Sequence, residues 1–85
     1  MAVQTPDWLA RRGGELRAGV GGQSWLVFFD NEPQYRLEPV PVAGKYGCKI
    51  TQTINGRMIP SAGTYATAED AIRGGLEDLR KALGW

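Results

Sequence analysis

Three sets of residues in this chain carry chemistry, and each lacks something a reaction needs. Cys48 is the single thiol, and the 85 residues contain no histidine, so neither a Cys-His nor a Ser-His nucleophilic couple, nor a usual zinc site, can be assembled within one chain. Asp30 and Glu32 put two carboxylates two residues apart. They sit in Asp30-Asn31-Glu32-Pro33, a turn composition in which Asp and Asn bond their own backbone and Pro fixes φ, with no apolar pocket implied that would raise either acidity. The third set is basic: residues 34–60 hold Arg36, Lys45, Lys49 and Arg57 against Glu38 alone, with Tyr46 among them. The sequence therefore predicts no catalytic residue, no metal site and no cofactor, and a non-enzymatic protein. The doublets Gly13-Gly14, Gly21-Gly22 and Gly74-Gly75 belong to neither a dinucleotide fingerprint nor a Walker motif, and read as caps and turns.

Composition sets wider bounds. A net charge of +1 gives no global attraction to nucleic acid or to a membrane, but it averages over an uneven chain, since four of the ten basic side chains fall in that middle third with one of the nine acids. With 42% hydrophobic and 22% charged residues the chain is globular, and its length corresponds to one domain over residues 1–85. A lone cysteine excludes an internal disulfide and suits the cytoplasm. The start Met1-Ala-Val-Gln-Thr-Pro-Asp-Trp8 lacks a basic, apolar leader, and no stretch approaches the roughly 20 apolar residues of a membrane span, so a cytoplasmic location without membrane contact is expected.

The element that must organise the rest is the C-terminal helix. Ala68, Ala71, Ile72, Gly75, Leu76, Leu79, Ala82 and Leu83 recur at steps of three and four, forming an apolar stripe that needs a sheet to cover. Thr67 is placed to cap it in a box with Asp70, Gly84 to end it in the left-handed conformation, and Trp85 to fold back on Leu79. Gly75, on the stripe, marks a close approach, whereas Gly74, off it, suggests a kink.

Before it the sequence predicts sheet. Thr5-Pro6-Asp7 opens a short helix with Thr5 as cap, Gly13-Gly14 closes it, and Trp8 and Leu9 dock it. Arg11-Arg12 read as its solvated last turn. Residues 15–20 and 24–29 form a hairpin about Gly21-Gly22-Gln23. In Trp25-Leu26-Val27-Phe28-Phe29 both faces are apolar: Trp25, Val27 and Phe29 on one, Leu26 and Phe28 on the other. The second face is covered either by the N-terminal helix or by another molecule. A long third strand follows, with a bulge near Glu38-Pro39 to bring Val40 and Val42 into the phase of Tyr35 and Leu37; Pro39 and Pro41 leave it pairing early with the second strand and late with the fourth. Residues 46–54 make the fourth strand, with Cys48, Ile50 and Ile54 on its apolar face, and Asn55-Gly56 a two-residue hairpin turn into residues 57–59. The expected fold is α+β: an antiparallel meander of four to five strands, the C-terminal helix packed on one face, and a short N-terminal helix.

Tyr35-Arg36, Gly44-Lys45-Tyr46-Gly47-Cys48-Lys49-Ile50, Asn55-Gly56-Arg57 and Gly63-Thr64-Tyr65-Ala66-Thr67-Ala68-Glu69-Asp70-Ala71 resemble, in order, an AP2-type DNA-binding domain, over residues 35–83. The resemblance implies a sheet packed on one helix, with Arg36, Lys49, Arg57 and Tyr46 on a sheet face that reads the major groove. Where that family carries a run of arginines, this chain has Glu38-Pro39-Val40-Pro41-Val42. Two functional expectations follow. The first is a binding module for a partner protein or for itself as a homodimer, with Trp8, Trp25, Leu26 and Phe28 as apolar anchors. The alternative is nucleic-acid binding through Arg36, Tyr46, Lys49 and Arg57.

Overall fold

Two tight turns shape the sheet. In the computed structural model, which describes residues 3–19 and 24–85, Asp30 and Asn31 adopt φ of 53° and 64°, the left-handed pair that suits a twisted two-residue hairpin, and Ala43 and Gly44 repeat it at 48° and 81°. The first turn joins β2 (Trp25–Phe29) to β3 (Glu32–Val42), and the second joins β3 to β4 (Lys45–Gln52). With β1 (Gly14–Ala18) and β5 (Met58–Ile59), five antiparallel strands lie side by side in chain order. Helix α1 (Asp7–Ala10) precedes the sheet and α2 (Ala68–Leu83) follows it. This is the expected α+β meander with its C-terminal helix; the predicted turn at 21–23 lies outside the described residues.

Register assigns the faces. Leu16, Val27, Tyr35 and Gln52 form one cross-sheet row and Trp25, Leu37, Ile50 and Ile59 the next, all on the side of α2. Val27, Leu37 and Ile50 are fully buried there with Ile72 and Leu79 of the helix. β3 pairs with β2 through Leu37 and with β4 from Tyr35 onward, the division the prolines dictate. The irregularity sits between Val27 and Phe28, not near Glu38-Pro39. Pairing through Pro39 is regular, so Val40 and Val42 stay on the face away from the helix, and the phase change in the sequence reports a strand apolar on both sides.

Helix α2 begins at Ala68 with Thr67 Oγ1 accepting from the Asp70 amide at 3.1 Å. The Asp70 carboxylate does not complete the box; it lies 3.7 Å from Arg73. The last turn closes with the Gly84 amide donating to the Lys81 carbonyl at 3.1 Å and the Trp85 amide to the Arg80 carbonyl at 3.0 Å, with Gly84 at φ 75°, a Schellman arrangement. Gly75 packs on the sheet so closely that an added Cβ would overlap Cys48 Sγ. α2 runs unbroken through Gly74, whose missing side chain makes room for the Tyr65 ring.

Three local expectations are corrected. Thr5 does not cap α1: its hydroxyl accepts from the Leu16 amide of β1 at 3.1 Å, and Pro6 stands at the cap. Asn55-Gly56 is not a two-residue turn. The Gln52 amide reaches the Arg57 carbonyl across a four-residue loop, Gly56 alone of the pair has positive φ, and Asn55 Oδ1 accepts from the Arg57 amide. β4 therefore ends at Gln52, and Ile54, assigned to the apolar face, is 80% exposed in that loop.

The N-terminal segment settles which face is covered. Leu9 is fully buried in the same core as α2, against the helix side of Gly14, and the Trp8 ring meets Trp85 edge-on at 6.0 Å. Both helices thus lie on one face of the sheet, and among the described residues no element covers the other.

A candidate interaction surface on the helix-free sheet face

The uncovered face is built by the second phase of each strand. One row runs Arg17, Leu26, Arg36, Thr51, Met58 from β1 to β5; beside it lies Glu15, Phe28, Pro33; on the other side lie Glu38 with Lys49, Val40 with Gly47, and Val42 with Lys45. Leu26 and Phe28 are half-buried by their neighbours, and Met58 and Val42 are 59% and 42% exposed. Two ion pairs stand on this surface: Arg17 to Glu15 at 2.9 Å, and Arg36 to Glu38 at 3.7 Å. The Arg17 guanidinium also lies 4.5 Å from the centre of the Phe28 ring. Its hydrogen bond to Glu15 holds that carboxyl below the usual range and raises its own pKa in turn. Both side chains are exposed, so the pair orders the surface more than it stabilises the fold.

The edges of the sheet are guarded at several points against strand addition. The Leu16 amide on the outer side of β1 is taken by Thr5, and Tyr46 of β4 exchanges two backbone hydrogen bonds with Tyr65, at 2.8 and 2.7 Å. Pro39 and Pro41 leave the free side of late β3 without donors, and β5 is two residues long before Pro60.

The residues singled out as apolar anchors separate accordingly. Trp25 is core, 7% exposed, and Trp8 packs against the core on the helix side, so Leu26 and Phe28 are the two that the helix-free face presents. Of the basic set, Arg36 and Lys49 share that face, whereas Tyr46 and Arg57 do not join them. Tyr46 has the phase of Cys48 and Ile50 at the edge bridged by Tyr65, and Arg57, opposite Gln52, borders a cleft with Tyr35 and Leu83. Sequence reasoning missed Arg17 and Glu15, whose alternation on β1 was the available signal.

The thiol lies on the other side of the sheet from this surface, in the phase of Ile50. Cys48 is buried beneath Gly75, and desolvation, with the Asp78 carboxylate adding to it, pushes its pKa up to about 12. Ser61 donates to that same carboxylate at 2.6 Å, which ties the segment before α2 to the helix. Among the described residues no group of three or more Cys, Asp and Glu side chains could hold a metal, and no helix is long and apolar enough to cross a membrane. Comparison with protein-family models, curated proteins and solved structures finds no match to this chain.

Proposed function

We propose that this chain is a non-enzymatic protein-interaction module that works through its helix-free sheet face. The observation that carries the reading is the placement of both helices on one side, which leaves Leu26 and Phe28 of a doubly apolar strand without a covering layer. A sheet face with apolar residues in its middle and Arg17, Arg36, Glu38 and Lys49 around them has the layout of an interface centre with a polar rim. The test is position-specific photo-crosslinking in cells. A crosslinking side chain at position 28 or 36 is expected to form a covalent protein adduct, and one at position 81, on the solvent side of α2, is not. Equal labelling at all three, or none at 28 and 36, removes the reading.

Arg36 and Lys49 on one exposed face, together with the AP2-type resemblance, support nucleic-acid binding as the second reading. Glu38 weighs against it, since its carboxylate lies beside Arg36 and opposite Lys49, where a phosphate would have to sit. Binding of a labelled duplex at low salt, weakened tenfold or more by Lys49→Glu and falling steeply as salt rises, would favour this reading over the first.

A further inference from the structure

The helix-free face has a charge order that identifies its own complement. On β1 it presents Glu15 in the Phe28 row and Arg17 in the Leu26 row, an acid and a base on successive outward positions beside the two apolar side chains of β2. A two-fold axis lying between two such faces and running across the strands reverses that order in the second copy. Acid then falls over base. A two-fold parallel to the strands would instead lay the Arg17-Leu26-Arg36 row over itself, base against base. We infer that a second copy of this chain occupies the helix-free face, related by a two-fold across the strands that passes between the Glu15-Phe28 row and the Arg17-Leu26 row. This rests on the interaction reading above and names its partner.

The register then fixes what meets what. Leu26 packs on Phe28 of the second copy and Phe28 on its Leu26, placing the two half-buried apolar side chains of β2 beside the axis. Arg17, already 2.9 Å from Glu15 and stacked on Phe28, gains the second copy's Glu15 as a further acceptor, which makes a four-membered alternating cluster at one side of the contact. At the other side Met58, 59% exposed at the end of the same row, approaches the second copy's 53–56 loop, whose Ile54 is 80% exposed. The two most exposed large apolar side chains of the described residues are thereby accounted for. Lys45 and Lys49 fall at the far end of β4, away from the axis and from their counterparts. The Thr5 bond to Leu16 and the Tyr46–Tyr65 bridge guard the edges and favour a face-to-face arrangement over a continuous sheet.

Sedimentation equilibrium on four samples tests this. The wild-type chain is expected to dimerise with a dissociation constant in the micromolar range, as suits a contact of this modest size. Arg17→Glu alone puts four acids around the axis, and Glu15→Arg alone puts four bases there; each is expected to weaken association about tenfold or more. An equimolar mixture of the two variants restores opposite signs only between chains, so its expected result is a heterodimer as tight as wild type. Unchanged urea midpoints of the two variants against the wild-type monomer assign the loss to the contact. A wild-type chain monomeric at about 200 μM overturns the proposal, and adducts of other mass from position 28 would then leave the interaction reading standing. Dimerisation without rescue in the mixture overturns the proposed axis.

Discussion

At the scale of single residues, Gly74 and Gly75 show how one doublet serves two ends. A Cβ at 75 would overlap Cys48 Sγ and come within 2.9 Å of Cys48 Cβ and 3.2 Å of a Leu37 methyl, all in a buried core, whereas a Cβ at 74 meets only the outer end of one half-buried side chain, the Tyr65 ring. Gly75→Ala is therefore expected to destabilise by about 1–3 kcal/mol despite its gain in helix propensity, and Gly74→Ala to be near neutral; urea midpoints of the two variants check the order. The Gly75 contact was legible from the stripe, but the role of Gly74 was not, because it depends on where Tyr65 of the preceding segment lands. Cys48 extends the same packing into pH dependence. Its folded pKa is raised to about 12 against an ordinary value of 9.0, so the protonated thiol is favoured in the fold. The stability this contributes is complete below about pH 9 and is lost as pH rises toward 12, with a slope of at most about 1.4 kcal/mol per pH unit. Alkaline unfolding followed at several pH values is expected to show that slope, and Cys48→Ala to flatten it.

At the scale of elements, what was legible followed from how local the signals are. α2 could be read from cap to Schellman close because Thr67, the apolar stripe, Gly84 and Trp85 all act within a few residues of one another. The bulge and the 52–57 loop could not, since both are set by cross-strand register, which pairs Phe28 with Pro33 and Gln52 with Arg57. Ala43-Gly44 was missed for a related reason: alanine rarely accepts positive φ, yet register holds Ala43 at 48°. Ala43→Asn, better suited to that conformation, is expected to raise stability by up to about 1 kcal/mol in thermal unfolding. Thr5 was assigned to the wrong element. Its hydroxyl closes the edge of β1 through the Leu16 amide, so Thr5→Val is expected to cost about 1 kcal/mol and to speed hydrogen exchange at Leu16, leaving Asp7–Ala10 unaltered. A cap on α1 would give the opposite pattern of exchange.

At the scale of the whole molecule, the doubly apolar β2 separates folding from association. Phe28 and Phe29 are neighbours of one type, but alternation sends them to opposite faces. Phe29 packs edge-on against Trp85 at 5.6 Å, within the layer that joins α1, α2 and the sheet, and the Arg12 guanidinium lies over that indole at 4.8 Å. Among the described residues Phe28 has Arg17 and its strand neighbours beside it on a face that no element covers. The sequence showed that both faces were apolar; which one the N-terminal helix takes depended on Leu9 reaching Gly14, a contact no periodicity encodes. Phe29→Ser is accordingly expected to cost about 3 kcal/mol or more, read as a lowered urea midpoint at a concentration where the chain is monomeric. Phe28→Ser should cost about 1 kcal/mol or less in the same titration, yet abolish any concentration dependence of the sedimentation coefficient. If instead Phe28→Ser unfolds the monomer, the helix-free face is part of its core and the surface described here does not exist as an interface.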